Sequence, residues 1–281
     1  MQNPRELKRR IVTIRNIERT VDAMQKISAA RLARDRIRVH ANRPYLDALL
    51  SMVGDIAATT DFTHPLLEIR EGSGYLLLCI GSDRGMCGAY NTSLMRKASE
   101  FIATRHREKL FLVTAGRKLR RFSPRTSATI IREVTHFANP PKPADVEQVA
   151  ATITDAFLHK DAVRAYLVYT EFRSATVNHP VVRRILPAMP VEKKIGNWLF
   201  EPTPQAVLDK LMPQYVRAAV RQAFIEASAS EHAARMVMME QASVSARRMI
   251  GELTLLANKL RQQIITRELL DIVGTVEALT G

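Results

Sequence analysis

From Gln214 to Val273 the chain runs 60 residues with no proline and a single glycine, Gly251. Wound as one α-helix, that run would be roughly 90 Å long, against about 30 Å for a small domain. A helix of that length cannot be buried inside an ordinary globule. Its apolar face needs a second long helix, an enclosing partner, or both. The apolar residues predict a late seam of Met249, Leu253, Leu256, Leu260 and Ile264, with Leu269, Ile272, Val276 and Leu279 carrying the pattern onward.

A candidate for that second helix lies at the other end of the chain, over residues 3–59. Asn3 is suited to cap it and Pro4 to occupy its first position. Leu7, Ile14 and Val21 recur every seven residues, and Ile17 and Met24 follow two of them by three, which predicts a coiled-coil seam. A plain amphipathic surface helix would show a similar pattern; the matching length at the far end of the chain favours the coiled coil. Pro44 is expected to bend or break this helix, and Leu46, Leu49, Leu50, Val53 and Ile56 continue an apolar face beyond it.

Between the two helices the period changes. Tyr75–Ile80, Leu110–Thr114, Thr129–Val134 and Ala165–Phe172 read as strands, with helical stretches near Thr92–Arg107 and Ala144–His159. Alternation of this kind predicts a Rossmann-like α/β domain of largely parallel strands over residues 75–190. Residues 191–213 read as a loop and a short helix capped by Thr203, with Pro213 kinking or ending it, and 214–279 as the long C-terminal helix. The expected architecture is therefore an α/β domain joined to a long antiparallel coiled coil.

The net charge of +14 calls for an acidic partner, anionic lipid or nucleic acid. Residues 1–43 alone hold twelve basic residues against four acids. Two cysteines, Cys79 and Cys87, make no disulfide framework. The histidines are scattered without metal-ligand spacing, no apolar run is long enough to span a membrane, and the basic start is followed by no apolar stretch of a secretory signal.

Local chemistry is sparse. The loop Gly81-Ser-Asp-Arg-Gly-Met-Cys-Gly88 follows a strand, where a phosphate would sit if a helix began next. Its glycines are not spaced as GxGxxG and no Gly-Lys-Ser/Thr is present, so a tight turn is the stronger expectation. Asp83 and Arg84 read as a turn or local ion pair, and Cys87 has no histidine near it in sequence. The basic run Arg117-Lys118-Leu119-Arg120-Arg121 lacks the interleaved aromatics of a base-stacking surface. Met236, Met238 and Met239 read as adaptable packing. On residues alone, a nucleotide-dependent enzyme built on the α/β domain and a basic coiled-coil nucleic-acid binder both stay open.

Three stretches together resemble the gamma subunit of F-type ATP synthases, bacterial type. They are the N-terminal Asp22-Ala-Met-Gln-Lys-Ile-Ser-Ala-Ala-Arg-Leu32 with Arg43-Pro-Tyr45, the loop Ser82-Asp-Arg-Gly-Met-Cys-Gly88, and the C-terminal half. The last includes Trp198-Leu-Phe-Glu-Pro202, Ser230-Glu-His-Ala-Ala-Arg-Met236 and Asn258-Lys-Leu-Arg-Gln-Gln-Ile-Ile-Thr-Arg-Glu-Leu-Leu-Asp-Ile-Val273. The resemblance spans nearly the whole chain in the expected order. It implies a central rotor stalk that catalyses nothing itself, binds no cofactor or metal, and carries torque between a membrane ring and the catalytic beta subunits. The implied partners are the alpha and beta subunits, an epsilon-type small stalk subunit and the membrane c-type ring, with no nucleic acid. The implied location is peripheral, on the cytoplasmic face of the bacterial inner membrane.

Residue by residue, the resemblance puts Met24, Arg31 and Arg34 in a neck facing acidic loops of beta. It puts Arg261, Gln262 and Thr266 on the upper shaft, and Leu269 and Ile272 in the tip held by an apolar bearing. Trp198, Phe200 and Glu201 match the foot. Asp22 stands where the family has lysine, and Ala89 where it has glycine. The cysteine-bearing regulatory insert of the chloroplast type is absent.

Overall fold

The computed structural model describes residues 4–59, 64–122, 126–137, 140–159, 161–189 and 200–280. In chain order they form α1 (Pro4–Thr59), β1 (Gly74–Ile80), α2 (Tyr90–Ala103), β2 (Lys109–Ala115), a 3-10 turn (Arg117–Arg121), β3 (Thr129–Val134), α3 (Pro143–Leu158), β4 (Arg164–Phe172), β5 (Asn178–Leu186) and α4 (Pro204–Thr280). They divide into two units, Met1–Ile27 with Met236–Gly281, and Ser28–Arg235. Asn3, expected as a cap, lies outside the described residues.

The first unit is a pair of antiparallel helices. On α1, Leu7, Ile11 and Ile14 are buried, and Glu18, Val21 and Gln25 are half-buried. Their spacing alternates four and three, the 3.5-residue period of a supercoiled seam. On α4 the same alternation runs through Met239, Ser243, Ala246, Ile250, Leu253, Ala257 and Leu260. This corrects the frame expected from hydrophobicity. Ile17 is 52% exposed, and Met249 and Ile264 also face outward. The true seam admits Glu18, Ser243 and Ala246, residues that apolar counting passes over. Glu18 can sit there because its stem is covered while its carboxylate receives Arg247 Nε at 2.9 Å. The seam ends at Leu260. From Arg261 to Val276 every residue whose side chain is described is exposed.

The second unit is built on a five-stranded sheet of order β3-β2-β1-β4-β5. The first four strands are parallel, and β5 pairs antiparallel with β4. Strand β5 was not foreseen. Its Pro180 and paired arginines, Arg183 and Arg184, read poorly as a strand, but an edge tolerates proline and exposed charge. Alternation along β1 sends Tyr75, Leu77 and Cys79 to the side covered by α2, and Leu76, Leu78 and Ile80 to the other. That second side is covered by α3 (Val149, Ile153, Phe157), α1 (Val53, Ile56) and α4 (Val216, Val220, Phe224).

Within this unit α1 and α4 are also antiparallel. Asp35 accepts from Ser228, 2.9 Å away, whereas Asn42, further along α1, donates to Gln222, earlier on α4, at 2.9 Å. The α1 heptad continues here as Ser28, Leu32, Asp35, Val39, Asn42, Leu46, Leu49, Val53 and Ile56, all buried or half-buried. Neither Pro44 nor Pro213 ends its helix. Proline inside a helix costs about 3 kcal/mol. Around Pro44 the neighbours offset that cost: Asn42 and Arg43 bond α4, and Leu49, Val53 and Ile56 are core residues.

Candidate functional site

In a doubly wound sheet the ligand crevice lies at the C-terminal strand ends, where the strand order reverses. Here the reversal falls between β1 and β4. That crevice is taken by helices of the same chain. Ser230 Oγ donates to the carbonyl of Thr170 at 3.0 Å, and the Tyr90 hydroxyl donates to the carbonyl of Ala227 at 3.0 Å. Arg43 of α1 reaches the carbonyl of Phe172, the last residue of β4. The α/β domain uses its switch point to hold the helix pair.

The Gly81–Gly88 loop completes this grip. Asn91, in the first turn of α2, ties it from inside: its Oδ1 accepts from the Ser82 amide at 3.1 Å, and its Nδ2 donates to Ser82 Oγ at 2.8 Å. Ser82 Oγ donates to the carbonyl of Arg84 at 2.7 Å. Asp83 Oδ1 accepts from the Arg117 amide at 2.9 Å, which binds the loop to the 3-10 turn. A side chain on Gly116, whose φ is +112°, would meet the Gly81 carbonyl at 2.7 Å. Across the loop lies α4: Arg235, 6% exposed, donates through Nε and Nη2 to the carbonyl of Gly85 and through Nη2 to Glu231. The loop's polar groups therefore bond one another and α4. Cys87 is buried beneath them, and burial pushes its thiol up. Ala89 adopts φ −79°, ψ 3°, ordinary for any residue, while Met86 at φ 61° and Gly88 at φ 55° take the loop's left-handed positions. Alanine therefore leaves the loop backbone unstrained.

Beside this loop a cavity of about 570 Å³ opens among Arg31, Arg34 and Arg38 of α1, Arg84 and Arg117 of the domain, and Glu231, His232 and Arg235 of α4. Burial pushes His232 down to about 4, against the pull of Asp35 and with the help of Arg235, Arg31 and Arg84. Among the described residues there is no cluster of metal-ligating side chains and no helix long and apolar enough to cross a membrane.

The family model described as ATP synthase (ATP-synt) matches residues 3–279. The ATP synthase gamma chain of Moorella thermoacetica is 38% identical over 284 residues, covering 99% of this chain and 100% of the relative. The chain belongs to the ATP synthase family. The gamma chain of Dehalococcoides mccartyi strain BAV1 is 36% identical over 285 residues, with the same coverage. Two solved structures share the fold at 19% identity. The Euglena gracilis mitochondrial ATP synthase rotor has a TM-score of 0.67 over 93% of this chain and 98% of that one. The central stalk and c-ring of the Tetrahymena thermophila enzyme gives 0.60 over 80% and 99%.

The expected contact residues of this ATP synthase chain fall in separate places. In the first unit Met24 is half-buried, while Arg261, Gln262, Thr266, Leu269 and Ile272 lie on the exposed stretch of α4. Asp22 bonds Lys26 at 2.8 Å and sits 3.9 Å from Arg247, and the Lys26 bond pulls its carboxyl down. The acid standing in place of lysine thus has cationic partners within its own unit. In the second unit Arg31 and Arg34 are exposed at the cavity, Glu201 is exposed, and Phe200 packs against the domain's own core. Trp198 lies outside the described residues. Sequence reasoning missed Asn91, Glu231 and Arg235 as the residues that join loop to helix. The one available signal was that Glu231 and Arg235 stand four apart, on one face of a helix.

Proposed function

We propose that this chain is the non-catalytic central rotor of its ATP synthase, passing torque between an ion-driven membrane ring and the catalytic beta subunits. The observation that carries this reading is the end of α4. Its seam stops at Leu260, yet the helix continues with Ile264, Ile265, Leu269, Leu270, Ile272, Val273 and Val276 all exposed. Isolated apolar side chains on a surface are ordinary, but a run of exposed ones along one helix fits enclosure by other subunits. In this reading Leu269 and Ile272 turn in an apolar bearing formed by the alpha and beta ring. Arg261, Gln262 and Thr266 meet beta from the shaft, and Met24, Arg31 and Arg34 meet acidic loops of beta. Glu201, with Phe200 and Trp198, belongs to the foot that engages the c-ring and the epsilon-type subunit.

The rotor acts by differential contact. A turning asymmetric shaft touches each beta subunit differently, and a contact that favours one conformation shifts that subunit's nucleotide affinity. Chemistry then belongs to the partners, and the chain sits peripherally on the cytoplasmic face of the membrane. The test is reconstitution. The purified chain alone should turn over no ATP, and with alpha and beta it should restore rotation-coupled hydrolysis. A chain ending at Leu260 should bind the ring more weakly and lose most coupled torque. ATP turnover by the isolated chain would overturn the reading.

A further inference from the structure

The cavity between the Gly81–Gly88 loop and the helix pair has an unbalanced charge. Each of its acids is engaged: Asp35 pairs with Arg38 at 2.9 Å, Glu231 with Arg235 at 2.6 Å, and Asp83 accepts from the Arg117 amide. Arg31, Arg34 and Arg84 line the same cavity with no carboxylate within ion-pair distance among the described residues. Two elements contribute these guanidiniums, α1 and the Gly81–Gly88 loop. Both described non-glycine residues with positive φ, Met86 at 61° and His136 at 60°, lie in the loops that wall the cavity. Such conformations cluster at ligand sites.

We propose that this cavity is a binding site for an oligophosphate, either a free inorganic chain or the phosphate tail of a nucleotide. Guanidinium is the donor suited to phosphate oxygens, because its planar fork makes paired charge-assisted bonds. A phosphate chain carries enough charge to engage Arg31, Arg34 and Arg84 together, which a single carboxylate cannot do. The cavity's volume of about 570 Å³ falls within the usual range for small-molecule sites, so a nucleotide as well as a bare triphosphate can enter. The paired acids limit the net attraction and leave Arg31, Arg34 and Arg84 to set specificity, Arg34 donating through Nε to the carbonyl of Ala30 at 3.3 Å. Occupancy would join α1, the loop and α4 across one ligand and stiffen the grip between domain and helices.

The test is isothermal titration of the purified full-length chain with inorganic tripolyphosphate, ATP, adenosine and a short polyglutamate peptide. The expected result is saturable binding of tripolyphosphate that weakens steeply with salt. Arg84→Ala and Arg31→Ala should each lower affinity about tenfold, as loss of a charged hydrogen bond does. Arg84→Lys should recover only part, and Arg248→Ala, outside the cavity, should change affinity less than twofold. ATP binding as tightly as tripolyphosphate, with adenosine silent, marks the phosphate tail as the recognised group, and tripolyphosphate alone marks a free chain. The proposal is overturned if tripolyphosphate and ATP both fail to bind, if polyglutamate binds and they do not, or if Arg84→Ala binds like the parent. Circular dichroism of each variant separates lost binding from lost fold.

Discussion

The guanidinium of Arg235 straddles the carbonyl oxygen of Gly85, with Nε and Nη2 each 3.3 Å away, while Nη2 also holds Glu231 at 2.6 Å. One side chain thus ties the α/β domain to the helix that must carry torque away from it. Its removal leaves a backbone carbonyl and a largely buried carboxylate without their donor. Arg235→Ala should therefore destabilise the protein by about 3 kcal/mol, near the lower end for breaking a buried ion pair. Glu231→Gln should cost less, since burial already disfavours the carboxylate and Arg235 keeps the Gly85 carbonyl and an amide oxygen as acceptors. Urea denaturation of the two variants checks the order. Arg235→Ala unfolding at the parent's midpoint would refute it.

Stability should fall with acid because of His232. The imidazole is buried beside Asp35 on α1 and Arg235 on α4, with Arg31 and Arg84 contributing positive charge, and it is pushed from 6.5 down to about 4. A depressed folded-state value means that the unfolded chain takes up the proton first. Its contribution is complete above pH 6.5 and is lost as pH falls towards 4. The full effect is at most about 3 kcal/mol. Glu231 opposes it: burial pushes that carboxyl up from 4.5, so its contribution is present at low pH and fades as pH rises. His232→Gln removes only the first effect. Urea midpoints should drop between pH 7 and pH 5 for the parent and drop less for His232→Gln, in which His64, likewise pushed down by burial, still loses stability in acid.

The two alternative seams on α1 make opposite predictions. If Ile17 packed against α4, its loss would be felt; its exposure of 52% says otherwise. Ile17→Ser should change stability by less than about 0.5 kcal/mol. Ile14→Ala, on the buried line, should cost about 2 kcal/mol or more. Glu18→Leu should stabilise the helix pair, because it replaces a half-buried carboxylate at a seam position with an apolar side chain. Thermal melts of the three variants decide between the frames, and a larger loss for Ile17→Ser than for Ile14→Ala would reject the one described.

The two long helices and the parallel core of the sheet were legible in the sequence because each rests on period. The 60 residues from Gln214 without proline and the sevenfold recurrence of Leu7, Ile14 and Val21 belong to the backbone's own geometry. The seam's polar members were not legible. They are Glu18 and Gln25 on the line of Ile11, and Ser28, Asp35 and Asn42 on the line of Leu7, and their place in a seam depends on partners such as Arg247, Ser228 and Gln222, about 180 to 230 positions away. Strand β5 was hidden for a related reason, since an edge strand need not be apolar. Arg31 and Arg34 stood out as charge on a helix, but nothing local said that Arg84 would join them at one cavity.

Gly251 marks a weak point on α4 that sequence reading flagged and the structure locates. It is exposed, and a Cβ built there meets nothing within 4 Å. Glycine in a helix interior costs about 1 kcal/mol relative to alanine, chiefly through the freedom it gives the unfolded chain. No close approach or unusual backbone at Gly251 calls for glycine in this chain. Gly251→Ala should therefore stabilise the helix pair by about 1 kcal/mol and slow amide exchange around residues 250–257. Its effect on coupling tells what the glycine is for. If the shaft works as a stiff element, the variant in a reconstituted complex should couple ion flow to hydrolysis at least as well as the parent. A variant that is more stable but couples less would show that bending at residue 251 belongs to the working cycle.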